Sequence, residues 1–297
     1  MPKRVTFYLD PAMRISAEAG EHNFLSHFAA VLRAHDYAPH YANQGDLGPG
    51  PGSLGITHMR PPPAGGLCFR RVYHYPFWAI ETNAERWRWK VATTPFSPDL
   101  VTKTDAADFY HLWQNRLFKD LPEDTSKDGF VYIPLQGRIR EKRSFQSCTP
   151  VEMIRHTLFA DPKRRVVAAL HPNEIYSQAD LIILDALSAA HPRLNIVMGQ
   201  MEKLLHGCDY VVTMNSAVAF NGYFFAKPAI LFGQVDFHHI ALRASPDDLS
   251  AFDQINHHNP DYAGYVYWFW QMNCINAGHP SVRERISNAL RRAGWIK

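Results

Sequence analysis

The chain has 297 residues, 46% of them hydrophobic and 20% charged, with a formal net charge of +3. That length buries a full core and suits one large domain or two ordinary ones, and the composition excludes a disordered chain. So small a net charge, with no concentrated basic face, excludes a dedicated nucleic-acid binder. The densest basic run, RIREKR at residues 138–143, also carries Glu141 and reads as a solvated loop. Cys68, Cys148, Cys208 and Cys274 lie far apart with no CxxC or CxxH pair, so free buried thiols are expected and a zinc site is not. The apolar run YVYWFWQM is far shorter than the roughly 20 residues that span a bilayer. VTFYL near the N-terminus is too short for a signal peptide. The reading is a cytoplasmic protein, with peripheral association with the inner membrane left open.

In chain order, residues 5–9 read as a strand. Residues 21–33 read as a helix, with Phe24, Phe28, Val31 and Leu32 at helical spacing, and residues 37–41 as a second strand. That βαβ opening favours a parallel sheet. Residues 45–66 hold GDLGPGPGSLG and RPPPAGG, which are loop composition, around a short strand candidate at 54–57. Residues 67–80 are aromatic and part strand, and 104–119 helical. The polar, turn-rich PEDTSKDG at 122–129 marks the expected boundary between an N-terminal domain over 1–124 and a C-terminal domain over 125–297.

The second half alternates regularly. Strands are expected at 130–134, 165–170, 194–198, 210–213 and 229–232, the last of the chain. Helices are expected at 149–159, 178–190, 201–205 and 217–225. Thr149, Pro150 and Glu152 supply an N-cap, a first-turn proline and a capping-box acid. The strands are continuous apolar runs, as in a parallel sheet covered on both faces. Helices at 262–276 and 281–293 close the chain, the aromatic run 265–270 facing the core. The fold class is α/β, with two Rossmann-like domains whose parallel sheets face a central cleft and whose ligands sit outside the carboxyl ends of the strands.

Three strand ends carry polar residues. In VVTMNSAVAFNGYFFAKPAILFGQ, Asn215 and Ser216 separate a strand from a helix. Ser216 is a good N-cap, and the free N–H groups of a first helical turn suit a phosphate. Capping alone explains the serine equally well. Pro172 holds His171 extended at its strand tip, where the imidazole donates to a phosphate or leaving group, or is satisfied within its turn. Gln136 follows Pro134-Leu135. Together these residues read as a nucleotide or phosphate site. There is no GxGxxG after the first strand, no GxxxxGK[ST], no GxSxG and no DxD. His238-His239 and His257-His258 are adjacent pairs whose side chains diverge, so no metal is expected.

The order of PLQ (134–136), HP (171–172) and VVTMNSAVAF…AKP…LFG (211–233) resembles the capsule polysaccharide biosynthesis/export family, several of whose members are β-Kdo transferases. The resemblance covers residues 130–240 well and the N-terminal half only in its βα pattern. It implies a GT-B architecture, a CMP-Kdo donor and no catalytic metal or other cofactor. It implies that His171 and Pro172 meet the donor phosphate, that Asn215 and Ser216 meet the nucleotide, and that Gln136 lines the donor pocket. Two positions depart from the family. Arg140, beside Glu141, stands where retaining members have an acidic residue, and Asn221 stands where a glutamate meets a ribose.

The expected function is transfer of Kdo or a similar acidic sugar from a nucleotide sugar to a glycan or lipid-linked acceptor of a capsule or surface polysaccharide. His171, the Ser216 helix terminus and Arg140 would stabilise the departing phosphate. Glu18, Glu21 and His22 are candidates by position for the base. The rival readings are a catalytically degenerate nucleotide- or glycan-binding assembly partner, favoured by Arg140 and Asn221, and a sugar-nucleotide epimerase.

Overall fold

A computed structural model describes residues 2–46, 54–119 and 121–297. Residues 47–53 of the expected glycine- and proline-rich loop lie outside the described residues. The apolar runs form strands β1 (Lys3–Leu9), β2 (Tyr37–Asn43), β3 (Leu54–His58), β4 (Leu67–Arg71), β5 (Phe77–Glu81) and β6 (Phe130–Pro134). They continue with β7 (Arg165–Leu170), β8 (Leu194–Met198), β9 (Tyr210–Thr213), β10 (Ala229–Leu231), β11 (Leu242–Arg243) and β12 (Ile275–Asn276).

The chain divides into two compact units, Met1–Thr94 with Phe269–Lys297, and Pro95–Trp268. The expected boundary at 122–129 therefore falls inside the second unit, and the C-terminal helix belongs to the first. The side chains give the reason. Tyr110 Oη and Gln114 Nε2, on the helix Lys103–Phe118, donate to the carbonyls of Tyr223 and Phe224 at 2.6 and 2.7 Å, so this helix is part of the second unit. The helix Val282–Arg292 buries Val282, Ile286, Ala289 and Leu290 in the core of the first.

The first unit holds a six-stranded sheet in the order β12-β5-β4-β3-β1-β2. β1 to β4 are parallel, while β5 runs antiparallel to β4 and β12 antiparallel to β5. Its core stacks Phe24 on Trp78 at 4.6 Å and sets Phe7 edge-on to Phe28. After β1 comes a helix that the spacing of apolar residues did not announce, Pro11–Glu18, capped by Asp10, whose side chain accepts the Met13 N–H at 3.0 Å. Asp-Pro at a cap and first helical position was its signal. The next helix, Asn23–Ala34, starts two residues later than expected, so Glu21 lies in the link between the two.

The second unit holds an all-parallel sheet in the order β11-β10-β9-β6-β7-β8. β11 was not expected. Its two residues extend the sheet beyond β10, too short to leave a periodic signal. Apolar side chains such as Val131, Ile133, Val166, Val212 and Ile230 are fully buried, as in a sheet covered on both faces. Gly233, just past β10, has no room for a side chain: a Cβ there would lie 2.8 Å from the Met214 carbonyl oxygen.

The expected helix over 262–276 is shorter. It is α-helical over Tyr262–Val266, widens to a π-helix over Tyr267–Met272, and gives way to β12. Its aromatic run is buried as expected, with Tyr265, Phe269 and Trp270 at 0% exposure. All four cysteines are buried free thiols. Burial pushes Cys68 and Cys148 up to about 11 and Cys208 to about 12, so they stay protonated at neutral pH. Among the described residues no helix is long and apolar enough to cross a membrane.

Candidate functional site

In the second unit β6 lies between β9 and β7. The chain fills the β7, β8 side first and then crosses to β9, so the strand order reverses between β6 and β9. At such a reversal the loops leave in opposite directions and open a crevice at the carboxyl ends of the strands. The expected residues come to this edge. Gln136 follows β6, His171 follows β7, and Asn215 and Ser216 follow β9. A small cavity of about 10 Å³ lies at the reversal, lined by Gln136, Arg143, Thr213 and Met214 among others. It has room for about one water.

His171 is exposed and held in place by its backbone and its ring. Its N–H donates to Tyr176 Oη at 2.9 Å, and Tyr176 in turn donates to the Leu135 carbonyl at 3.3 Å. The His171 Nδ1 accepts the Asn173 N–H at 3.2 Å. In the neutral ring that leaves the proton on Nε2, directed away from its own loop and able to donate to an anionic oxygen. Pro172 follows and is exposed.

Ser216 caps the helix Ala217–Tyr223, its Oγ accepting the Val218 N–H at 3.3 Å. That helix has seven residues and stops two short of the expected end, because the chain turns at Phe224 towards Lys227-Pro228. Two turns carry a weaker end charge than a long helix, and Asn215 and Ser216 are 9% and 5% exposed. Asn221 is also buried. Its Nδ2 approaches Met201 Sδ at 3.3 Å, so the side chain is turned towards the helix Met201–Gly207.

Arg140 is not a bare cation. Its Nε donates to Asp180 Oδ1 at 2.7 Å, and Asp180 belongs to the capping box of the helix Gln178–Ala190. The side chain is half exposed, and its Nη2 donates to Ser177 Oγ at 3.5 Å. Arg138 pairs with Glu141, the one acid of the basic run, which holds that carboxyl below its usual range.

Arg143 is the residue that the sequence reading passed over as part of a solvated run. It lines the cavity, and its guanidinium lies 4.8 Å from the centre of the Phe145 ring. Its Nε–H is buried without a hydrogen-bond acceptor, and so is Nε2 of the neighbouring Gln146. Gln146 Oε1 accepts the Arg143 backbone N–H at 2.7 Å, which fixes the amide's direction. Burial lowers the Arg143 pKa, the Arg138 charge lowers it further, and Glu174 opposes them. The signal for Arg143 was its place at the end of the run, just before the aromatic Phe145 and the return towards the sheet. Two buried donors with no acceptor are costly.

The first unit has an equivalent reversal, between β1 and β3. Asp10 follows β1 and His58 ends β3, with His58 Nδ1 3.8 Å from Asp10 Oδ2. His22 caps its helix by accepting the Leu25 N–H on Nδ1 at 3.3 Å. Burial lowers the pKa of His58, and Asp10 opposes that while Arg70 and His22 add to it. His58 is therefore a neutral, half-enclosed imidazole at pH 7, which the sequence reading did not select. Of the residues it did select, Glu18 pairs with Arg14 at 3.3 Å and Glu21 is exposed in the link between the two helices. Among the described residues no group of three or more His, Cys, Asp or Glu is placed to hold a metal.

Two Rossmann-like units, each with a strand-order reversal carrying polar residues, define the class as a GT-B-like fold. No protein-family model matches the sequence, and no curated protein matches it. Solved structures do. The chain is similar to the β-Kdo 2,7 transferase of Thermosulfurimonas dismutans KpsC, at 10% identity and a TM-score of 0.52, over 98% of this chain and 99% of that one. It is less similar to the β-Kdo 2,4 transferase of the same KpsC, at 12% identity and 0.48 over 89% of each chain. It is less similar again to S. aureus MnaA solved with UDP, at 13% identity and 0.36 over 100% of this chain and 98% of that one. The first of these carries the fold assignment.

Proposed function

We propose that this chain is a metal-independent glycosyltransferase that moves a sugar from a nucleotide-sugar donor to a glycan acceptor. One observation carries the reading: the buried Arg143 Nε–H, which has no acceptor, beside Gln136 at the β6–β9 reversal. Donors preorganised there stabilise a departing phosphate without reorganising in the transition state. In this reading Arg143 and the His171 Nε2–H neutralise the leaving group. Gln136 and Asn215 orient the nucleotide, and the half-exposed guanidinium of Arg140 receives a sugar carboxylate. The T. dismutans protein named above is a β-Kdo transferase, and with it comes the finer proposal of CMP-Kdo or a related acidic sugar as donor, and of a capsule or surface polysaccharide as acceptor. That acceptor chemistry would place the chain in the cytoplasm, at the inner face of the membrane.

A thermal-shift series with CMP, CDP, UMP, UDP and GDP tests it. Ligand at 100 times its Kd stabilises by about 2.7 kcal/mol, a shift of a few degrees. A shift with CMP, lost in Arg143→Gln, supports the CMP-linked donor. A shift only with a diphosphate keeps the transferase and changes the sugar class. No shift with any of the five sinks the reading.

The position of Arg140 favours a second reading. No carboxylate stands there to form a covalent sugar adduct, and the arginine is tied to Asp180. A nucleotide- or glycan-binding partner without turnover would look the same. Release of CMP from CMP-Kdo by the pure protein decides between the two.

A further inference from the structure

A second cavity, of about 300 Å³, lies in the first unit. Its place follows from the strand directions. β5 runs against β4 and ends at Glu81, opposite Cys68 at the start of β4. The chain beyond β5 reaches Lys90 at the amino end of the parallel strands, the end away from Asp10 and His58. The approach to β12, through Asn273, comes to the same end.

The cavity wall on one side is a stripe of the helix Val282–Arg292. Arg285, Asn288 and Arg292 recur at helical spacing and line it, while Ile286, Ala289 and Leu290 on the other face are buried in the core. Lys90 and Asn273 line it from other segments. Three cations thus converge against a single lining carboxylate, Glu284. Among the described residues none of the three takes part in an ion pair, whereas Arg14, Arg88 and Arg138 each pair with a glutamate three or four positions away.

Arg285 is held in place. Its Nη1 donates to the Cys274 carbonyl at 3.0 Å and the Met272 carbonyl at 3.3 Å, leaving the rest of the fork towards the cavity. Lys90 Nζ lies 3.4 Å from Asn273 Oδ1, and its backbone N–H donates to Glu81 Oε1 at 3.3 Å. Burial lowers the Lys90 pKa, and the charges of Arg292 and Arg285 lower it further against the pull of Glu81. The negative end of the helix dipole accounts for Arg291 and Arg292. It does not account for a lysine from another segment turned to the same space.

We propose that this cavity binds the phosphate monoester of a small molecule or lipid headgroup, with Lys90, Arg285 and Arg292 as its ligands. Three cations match the three terminal oxygens of a phosphate, and guanidinium forks suit that geometry. The volume is at the lower end of small-molecule sites, about 300–1,000 Å³, and exceeds what a bare ion needs. Asn273 and Asn288 line the same cavity. The same chemistry is presented by a free sugar phosphate and by the phosphate of a lipid headgroup. The proposal does not depend on the nucleotide reading.

Calorimetric titration of the full chain with glucose 1-phosphate, and co-sedimentation with phosphatidylcholine vesicles with and without phosphatidic acid, test it. Saturable binding of the sugar phosphate, weakened about tenfold or more in Lys90→Gln/Arg292→Gln and unchanged in Arg143→Gln, supports the site with a soluble ligand. Binding only to phosphatidic acid vesicles, with the same mutant pattern, supports it with a headgroup ligand. Circular dichroism of the double variant checks that it folds, and Lys90→Arg, which keeps the charge, should retain most of the affinity. No saturable binding in either assay, or equal binding by wild type and the double variant, overturns it.

Discussion

Tyr176 and His171 are joined through the backbone. The tyrosine hydroxyl accepts the His171 N–H at 2.9 Å and hands its own proton to the Leu135 carbonyl at 3.3 Å. One hydroxyl thus ties the end of β7 to the end of β6, and the imidazole stands on that tie. Tyr176→Phe removes both bonds and leaves the ring volume. A net bond is worth about 1 kcal/mol, so the expected outcome is stability lowered by about 1–2 kcal/mol and, with the His171 loop no longer tied, weaker nucleotide binding. Titration calorimetry with the nucleotide that shifts wild type checks it.

Arg143→Met should separate binding from stability. A half-buried guanidinium with an acceptorless Nε–H costs folding energy, and an apolar replacement of similar length is neutral or stabilising. Removing a charge-assisted contact to phosphate weakens binding by about 2–3 kcal/mol. The expected pair of results is a urea midpoint unchanged or raised, and nucleotide affinity down by a factor on the order of 10². A midpoint that falls together with affinity would show that Arg143 is structural.

Asp10→Asn should lower the His58 pKa further, because Asp10 raises it against the effect of burial. An NMR titration of the His58 ring in wild type and Asp10→Asn measures the shift, and an unchanged or raised value would show that Asp10 does not act on it.

Acid should unfold the second unit through Asp161. Burial raises its pKa, but the hydrogen bonds from Tyr210 at 2.7 Å and Arg164 at 2.8 Å outweigh burial and leave it lowered. A carboxyl lowered in the folded state contributes stability that is complete above its unfolded value, about 4. That contribution is lost as pH falls through the lower folded value. Arg164→Gln strips partners from Asp161 and Asp209 and should cost about 3 kcal/mol at pH 7. The loss should be smaller at pH values where Asp161 is protonated. Urea titrations across that range measure both effects.

Gly233→Ala should destabilise by about 1–3 kcal/mol, because its Cβ meets the Met214 backbone at 2.8 Å and the carbonyl cannot swing away. Calorimetric unfolding reads this directly.

Much of the fold is in the sequence by itself. β6, β9 and β10 and most of β7 are continuous apolar runs, and a strand buried on both faces has no other pattern available to it. Thr149, Pro150 and Glu152 mark the start of their helix, because the unpaired first-turn N–H groups demand such residues locally. His171-Pro172 and Asn215-Ser216 are legible as strand tips for the same kind of reason: proline and cap residues act on their immediate neighbours. The tertiary structure decided what depends on distant partners. It carried the C-terminal helix back to the first unit, because the apolar stripe of that helix matches Phe28 and Leu32 of another helix rather than anything near it in the chain. It turned Arg143 inward and Arg138 outward although both stand in one basic run, since only packing against Phe145 and the sheet end distinguishes them. It set His58 beside Asp10, 48 residues apart, because two parallel strands end at the same edge. Local chemistry is written in neighbouring residues, and a site assembled from several strand ends exists only once the sheet fixes their order.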